Sequence, residues 1–394
     1  MKLLLAVLNI NIFAGSLWAH ADNTPNLCTD DIPNLTKIKP SDTADHTIPD
    51  ITVGAATYNG DADHFVVRPP LVGKGKRKYK RVLVYIPGTT DRPELSSCLI
   101  KSAAETLDFP ILALSYQYLS SGDSFRNAKC ALLTPALQIT CLEEQHKDAI
   151  EGGTFGASFT KDGKAFWGEV LPENSLKSRL GDLLAHLHAE FPTEGWDKFF
   201  NAEDNRPVWD NIIVSGHSQG AGHVAYLAKT ETLCGAVMIS GPQDQCTGCS
   251  DGAKFWIDEG PYASKESSYT ALGHSQEPLF SVMADNWGRM KAADMSINWK
   301  SVEPANVDFA IDTDVVDALR SPLRTDVQYA ATSTCGGKEH CSTAIDDSVP
   351  FIETYTAKKL YLYEAAVWPS LLKAAGTKGK SGKTSKASKK STGM

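Results

Sequence analysis

Short apolar segments alternate with helical patterns over most of this 394-residue chain. Beyond the first twenty residues, no segment is long and apolar enough to cross a bilayer. Short apolar runs separated by helices predict an α/β fold, with a mostly parallel central sheet and helices on both faces. The predicted strands are 64–68, 81–86, 109–116, 209–215, 235–240, 269–273 and 327–331, and 307–311 competes with the last of these.

Three helices are predicted among these strands. Leucines between 176 and 187 recur at a spacing that places them on one face of a helix. Asn174 and Ser175 are good N-caps for this helix, and it ends near Phe191-Pro192. A second helix is predicted around 101–107, and a helix of small residues over 221–229.

The N-terminus has the pattern of a secretory signal peptide. Lys2 is followed by an apolar stretch and then by Ala19-His20-Ala21, a small-x-small cleavage site. Residues 1–21 are therefore predicted to be removed on export, and the mature protein is predicted to be extracellular. A membrane anchor is the less favoured alternative, because the apolar stretch is short and contains Asn9 and Asn11.

The rest of the chain divides into three parts by composition. Residues 22–50 are polar and contain prolines, which predicts an irregular lead-in. The main domain is predicted over 51–375, with 117–173 as a lid or insertion that has two cysteines and little strand pattern. Residues 376–394 carry six lysines and no acidic residue. This composition predicts a disordered, solvated tail, with weak contact to a polyanionic surface as the functional alternative.

All nine cysteines follow the predicted signal peptide, which fits an oxidised, exported protein. Three pairs that are close in sequence are predicted to form disulfides: Cys130 with Cys141, Cys246 with Cys249, and Cys335 with Cys341. Cys28 and Cys98 are candidates for a long-range bridge, which leaves Cys234 as a buried thiol. Cys246-x-x-Cys249 also matches half of a zinc site, but no second such pair follows, and no metal is expected.

The strongest chemical signal is Gly216-His217-Ser218-Gln219-Gly220, which lies between a predicted strand and a predicted helix. A strand, G-x-S-x-G and a helix together form the nucleophile elbow of serine hydrolases. The residues two before and two after the serine must be small, because strand and helix approach closely there. The alternative is a glycine-rich connection with an incidental serine.

With these residues, the chain over roughly 50–372 resembles the α/β-hydrolase superfamily, as a secreted member of the esterase and lipase type. The resemblance implies the chain order serine, acid, histidine. It also implies that the acid follows the second strand after the elbow and the histidine follows the last strand.

The resemblance selects His340 as the general base among the three histidines after Ser218. His223 lies within the helix that follows the serine, and His274 comes too early in the chain order, although it remains an alternative. His340 lies in the loop 335–341, near the end of the core. A disulfide across that loop would hold the imidazole in place, as in secreted esterases that this arrangement resembles.

Glu277 is the predicted acid, because it follows a strand and a small turn and precedes Pro278, as the resemblance requires. The superfamily more often has Asp at this place, and the longer Glu side chain reaches about one methylene further. The competing carboxylates are Asp285, Asp312 and Asp244.

The oxyanion hole is predicted to consist of backbone N–H groups of Thr89 and Gln219. Gln219 follows the nucleophile at a helix N-terminus, and Thr89 lies in Pro87-Gly88-Thr89-Thr90 after the strand 81–86. The His-Gly-Gly motif of many lipases is absent, and a simple strand-ending turn is the alternative.

The resemblance implies a secreted serine hydrolase that cleaves small-molecule or polymeric carboxylic esters and needs no cofactor. The preference for esters follows by analogy with the superfamily. A secreted serine peptidase or amidase, and a catalytically inactive binding protein of the same fold, are the alternatives. The net charge of −8 argues against general nucleic-acid binding.

Overall fold

The computed structural model describes most of the chain from residue 28 to residue 375. The described residues are 28–44, 51–53, 56–58, 60–70, 78–89, 91–116, 130, 133–153, 160–161, 164–165, 170–246, 249, 254–264, 268–307, 321–353, 359–364 and 366–375. The predicted signal peptide 1–21 and the lysine-rich tail 376–394 lie outside them.

One nine-stranded sheet dominates the described chain. Its strands are β1 Leu35–Ile38, β2 His64–Val67, β3 Val82–Ile86, β4 Ile111–Ala113, β5 Ile212–His217, β6 Gly235–Ile239, β7 Ser268–His274, β8 Ala305–Asn306 and β9 Leu323–Thr325. They lie in the order β1-β2-β4-β3-β5-β6-β7-β9-β8. β2 is antiparallel to both of its neighbours, and all other pairs are parallel. The carboxyl ends of the parallel strands therefore meet at one edge.

Seven α-helices are described: α1 Ser97–Thr106, α2 Pro135–Glu151, α3 Leu176–Glu190, α4 Gln219–Thr230, α5 Phe280–Ala293, α6 Lys338–Cys341 and α7 Val367–Ala375. Short 3-10 turns lie at Thr29–Asp31, Pro40–Asp42, Pro93–Ser96, Pro172–Asn174, Trp196–Lys198, Trp209–Asn211 and Trp256–Asp258. Four small hairpins pair Ile51–Val53 with Ala56–Tyr58, Thr160–Lys161 with Lys164–Ala165, Phe200–Asn201 with Arg206–Pro207, and Phe351–Glu353 with Lys359–Tyr361. No described helix is long and apolar enough to cross a membrane.

Apolar side chains of β3 alternate between the two faces of the sheet, and each face has its own core. Val82 and Val84 pack in the cluster that contains the buried residues of α3 and α4. Leu83 and Tyr85 pack in a second cluster with residues of α1 and α7. Because both faces are covered, β3 and β5 are buried along their whole length. The predicted fold class, a mostly parallel sheet with helices on both faces, is confirmed.

The helix α3 confirms the prediction from the leucine stripe. Leu180, Leu183, Leu184 and Leu187 are all buried. The side chain of Ser175 caps the helix by accepting a hydrogen bond from the N–H of Ser178, 3.2 Å away.

The prediction that 22–50 is irregular is wrong for Leu35–Ile38, which forms the edge strand β1. Its residues pair antiparallel with β2, and Ile38 is buried against the core. The strand gives a weak apolar signal because only Ile38 of its four residues is buried, as at the edge of a sheet. The sheet therefore begins before residue 51.

The predicted strand 327–331 is also wrong. The strand that pairs with β7 is β9, which ends at Thr325. The backbone of the residues after β9 makes contacts outside the sheet ladder. The carbonyl of Val327 lies 3.0 Å from Nε2 of His274, and the N–H of Ala330 donates to the carbonyl of Ser348. In the competing segment 307–311, Val307 follows β8, and residues 308–311 lie outside the described residues.

The predicted insertion 117–173 contains the helix α2, which its sequence pattern did not reveal. Its buried residues are mixed in polarity and include Gln138, Gln145, His146 and Asp148 beside Leu142. A buried stripe with this many polar positions does not produce the apolar period that predicts a helix.

The cysteines pair as the sequence suggested. The disulfides are Cys28–Cys98, Cys130–Cys141, Cys246–Cys249 and Cys335–Cys341, and Cys234 keeps a buried thiol. Cys28–Cys98 joins the lead-in to α1, and Cys335–Cys341 closes a small ring around His340.

Removing the Cys28–Cys98 bridge should cost more stability than removing Cys130–Cys141. The bridges span 70 and 11 residues, and loop-closure entropy predicts losses of about 4 and about 3 kcal/mol in the free energy of unfolding. Denaturant unfolding of C28A/C98A and C130A/C141A tests this order. A larger loss in C130A/C141A would contradict it.

Replacing two helix glycines by alanine should change the free energy of unfolding in opposite directions. A Cβ on Gly220 would lie 2.1 Å from the carbonyl oxygen of Ile86, whereas a Cβ on Gly288 would have no described atom within 4 Å. G220A should therefore lower the free energy of unfolding by about 2 kcal/mol or more through overpacking. G288A should raise it by about 0.5–1 kcal/mol, because it relieves the entropic cost of a glycine in α5. Equal stability of the two variants in thermal unfolding would refute the close packing at Gly220.

Candidate active site

Ser218 occupies a sharp turn between β5 and α4. Its backbone has φ 56° and ψ −120°, a conformation that non-glycine residues rarely adopt. The turn is compressed, since a Cβ on Gly216 would lie 2.5 Å from the carbonyl of Gly220. The N–H of Ser218 donates to the carbonyl of Ile239 at 2.9 Å, and its own carbonyl accepts from the N–H of Ala221 at 3.0 Å. These bonds hold a strained turn of the kind that G-x-S-x-G predicts.

Thr89 and Gln219 lie together beside this turn. The hydroxyl of Thr89 donates a short hydrogen bond to the side-chain carbonyl of Gln219. A Cβ on Gly88 would lie 3.0 Å from Cβ of Ser218, so the backbone before Thr89 passes close to the serine. Gln219 is the first residue of α4, and its N–H therefore has no acceptor within the helix. The two residues predicted to supply the oxyanion donors are thus neighbours beside Ser218.

Glu277 lies in the turn between β7 and α5, and its side chain is buried. Its Oε1 accepts from Nδ1 of His340 at 3.2 Å, and its Oε2 accepts from Oγ of Ser240 at 3.1 Å. The amide of Gln243 also donates to Oε1, at 3.4 Å. The carboxylate is therefore held on both oxygens and meets the predicted histidine.

The competing carboxylates have other partners or lie elsewhere. Asp285 is exposed on α5 and pairs with Arg289 one turn later. Asp244 is buried and accepts from His146 and from the indole of Trp256. Asp312 lies outside the described residues.

His340 lies in α6 with only 3% of its surface exposed. Burial lowers the pKa of its imidazole below the ordinary 6.5, and the carboxylate of Glu277 opposes part of this shift. The imidazole is therefore neutral at neutral pH and can accept a proton. Ser218 directly follows His217, whose ring centroid lies 4.8 Å from that of His340.

The other two downstream histidines have structural contacts. His274 ends β7, where its Nε2 lies 3.0 Å from the carbonyl of Val327 and its Nδ1 3.2 Å from the N–H of Gln276. His223 is buried inside α4, with its Nδ1 3.0 Å from Nδ1 of His146. Neither pairs with Glu277 in the described contacts.

Four residues around the pair of Glu277 and His340 are not predicted from the sequence. Ser240 and Gln243 follow β6, and Ser240 has a positive φ of 49°. Asp91 and His217 contact each other beside Ser218. A signal was available for Ser240 and Gln243, because polar residues directly after a buried parallel strand lie at the sheet edge that carries ligands.

The arrangement can support acid–base chemistry at a serine. A buried carboxylate orients a neutral imidazole close to His217, the residue before a strained serine, and the Thr89 turn and the N-terminus of α4 lie beside that serine. No cluster of three or more potential metal ligands occurs among the described residues.

Comparison with family models and with curated proteins found no match. Among solved structures, the chain is similar to the thermostable carboxylesterase EstE1 from a metagenomic library, at 10% identity over 67% of this chain and 76% of that one, with a TM-score of 0.33. It is similar to an esterase of Pyrobaculum calidifontis at 13% identity, 75% and 76% coverage, and a TM-score of 0.33. It is also similar to a hormone-sensitive lipase from a metagenome library at 13% identity, 82% and 88% coverage, and a TM-score of 0.33. By its own strand order, strand directions and the turn at Ser218, the chain has the fold of the α/β-hydrolase superfamily.

Proposed function

We propose that this protein is a secreted serine hydrolase that cleaves carboxylic esters through an acyl-enzyme on Ser218. The observation that carries the proposal is the buried hydrogen bond between Glu277 and His340 beside the strained turn at Ser218. A serine hydroxyl is a weak nucleophile at neutral pH and needs such a base.

In the proposed reaction, Oγ of Ser218 attacks the ester carbonyl while His340 takes the hydroxyl proton. Glu277 orients the imidazole and stabilises its cationic form. The N–H groups of Thr89 and Gln219 bind the oxyanion of the tetrahedral intermediate. His340 then protonates the leaving alcohol, and a water molecule activated by His340 releases the acid and restores Ser218.

Export is part of the proposal. It is supported by the signal pattern of residues 1–21 and by four disulfides, which persist in oxidising compartments. Ester chemistry is preferred over amide chemistry by analogy with the superfamily.

Hydrolysis of p-nitrophenyl esters of graded chain length should require Ser218. S218A should lower kcat by about a millionfold, since the acyl-enzyme cannot form, and the wild-type protein should react with a fluorophosphonate probe at this serine. Full activity in S218A would exclude the mechanism. Cleavage of peptide amides would indicate a peptidase, and a folded protein that neither reacts with the probe nor hydrolyses esters would indicate a binding protein.

Replacement of Glu277 should be far more damaging than replacement of Asp285. E277Q retains the size of the side chain but removes the charge that stabilises the imidazolium, so kcat should fall about a thousandfold or more. D285N should remain close to wild type, because Asp285 is exposed and pairs only on the surface of α5. The test is to measure kcat of both variants and of the wild type at a saturating concentration of ester. An equal loss in D285N would remove Glu277 from the proposed role.

A further inference from the structure

His217 connects three segments that surround Ser218. Its imidazole is buried, with 1% of its surface exposed. Its Nδ1 lies 3.2 Å from Oδ2 of Asp91, and its Nε2 lies 3.2 Å from the backbone carbonyl of His340. Asp91 belongs to the turn that carries Thr89. The side chain of His217 therefore links the turn that carries Thr89, the turn at Ser218 and the segment that carries His340.

Both ring nitrogens of His217 face groups that accept hydrogen bonds. A backbone carbonyl is only an acceptor, and an ionised carboxylate is only an acceptor. A neutral imidazole carries one N–H and can satisfy one of the two contacts. With an ionised Asp91, both contacts are satisfied only when the ring carries two N–H groups.

We propose that His217 is an imidazolium ion paired with Asp91, and that this buried ion pair positions the Thr89 turn and the His340 segment around Ser218. A buried charge is stable when it is paired and hydrogen-bonded. Asp91 is 4% exposed, so each partner supplies the other with the opposite charge.

The ion pair has an electrostatic effect on His340. The titratable groups that contact His217 in the described chain are Asp91 and His340, and Glu277 lies behind His340. A cation 4.8 Å away disfavours a second cation, and His217 lowers the pKa of His340, whereas Asp91 and Glu277 raise it. His217 therefore helps to keep His340 neutral, and it acts as a positioning residue. This effect on catalysis rests on the proposed function, but the protonation of His217 does not.

The number of protons on the His217 ring can be measured by NMR in a protein that has no catalytic activity. S218A protein with ¹⁵N-labelled histidine should show both nitrogens of His217 protonated at about pH 7.5. The His217 signals are identified by their loss in S218A/H217Q. One protonated and one unprotonated nitrogen would overturn the proposal, whatever the outcome of the ester assays.

A second variant keeps this measurement decisive if H217Q does not fold. S218A/D91N retains an acceptor of the same shape but removes the anion, so His217 should lose one proton at the same pH. The His217 signals are then those that change between S218A and S218A/D91N. A His217 that stays doubly protonated in D91N would contradict the ion pair.

The pH profile of ester hydrolysis tests the electrostatic effect. Because a protonated His340 cannot act as a base, kcat/KM of the wild type should fall only below the ordinary 6.5 as pH decreases. H217Q removes the neighbouring cation, so the pKa of His340 should rise and this limb should move upward by about one pH unit.

H274Q is the matched control, since His274 is buried at the same sheet edge but contacts backbone groups of Val327 and Gln276. Its acid limb should coincide with that of the wild type. A lower rate in H217Q with an unmoved limb would assign His217 a purely structural role and refute its effect on His340.

Discussion

The site depends on the strained backbone of Ser218, which only tight packing can maintain. A positive φ at a non-glycine residue costs about 1–3 kcal/mol, and neighbouring structure must supply that energy. Here β5 is buried between β3 and β6, and α4 lies so close to the end of β3 that Gly220 has no space for a Cβ. The core on both faces of the sheet thus stabilises one unfavourable turn, and the turn presents the serine at the carboxyl edge of the sheet.

The segments that follow four parallel strands converge at that edge. The segment after β3 brings Thr89 and Asp91, the turn after β5 brings Ser218, the segment after β6 brings Ser240 and Gln243, and the turn after β7 brings Glu277. His340 arrives from beyond β9, and the contact of its Nδ1 with Glu277 orients its ring. Because these side chains come from five different segments, buried hydrogen bonds between segments maintain the geometry of the site.

Much of this arrangement could be predicted from local sequence. Ser218 lies in a motif whose glycines allow the strand and the helix to approach closely. The chain order of the superfamily then leaves few candidates for the acid and the base, and the predicted pair, Glu277 and His340, does make contact. Ser240 and Gln243 could be placed at the sheet edge from their position after β6, but their contacts with Glu277 depend on the path of that segment, which no local pattern encodes. The strand assigned to 327–331 failed because an apolar run alone does not reveal whether its backbone pairs with β7 or with another loop. Leu35–Ile38 was overlooked because an edge strand has a weak apolar signal.

Oε1 of Glu277 contacts His340 and Gln243, and its Oε2 contacts Ser240, so the carboxylate joins His340 on one side to Ser240 on the other. An aspartate in the same turn would be one methylene shorter and could not span both without a shift of the turn. A search pattern that demands aspartate after this strand would therefore reject the present chain. In proteins of this fold, the position of the carboxyl group in space therefore identifies the acid better than the residue type does.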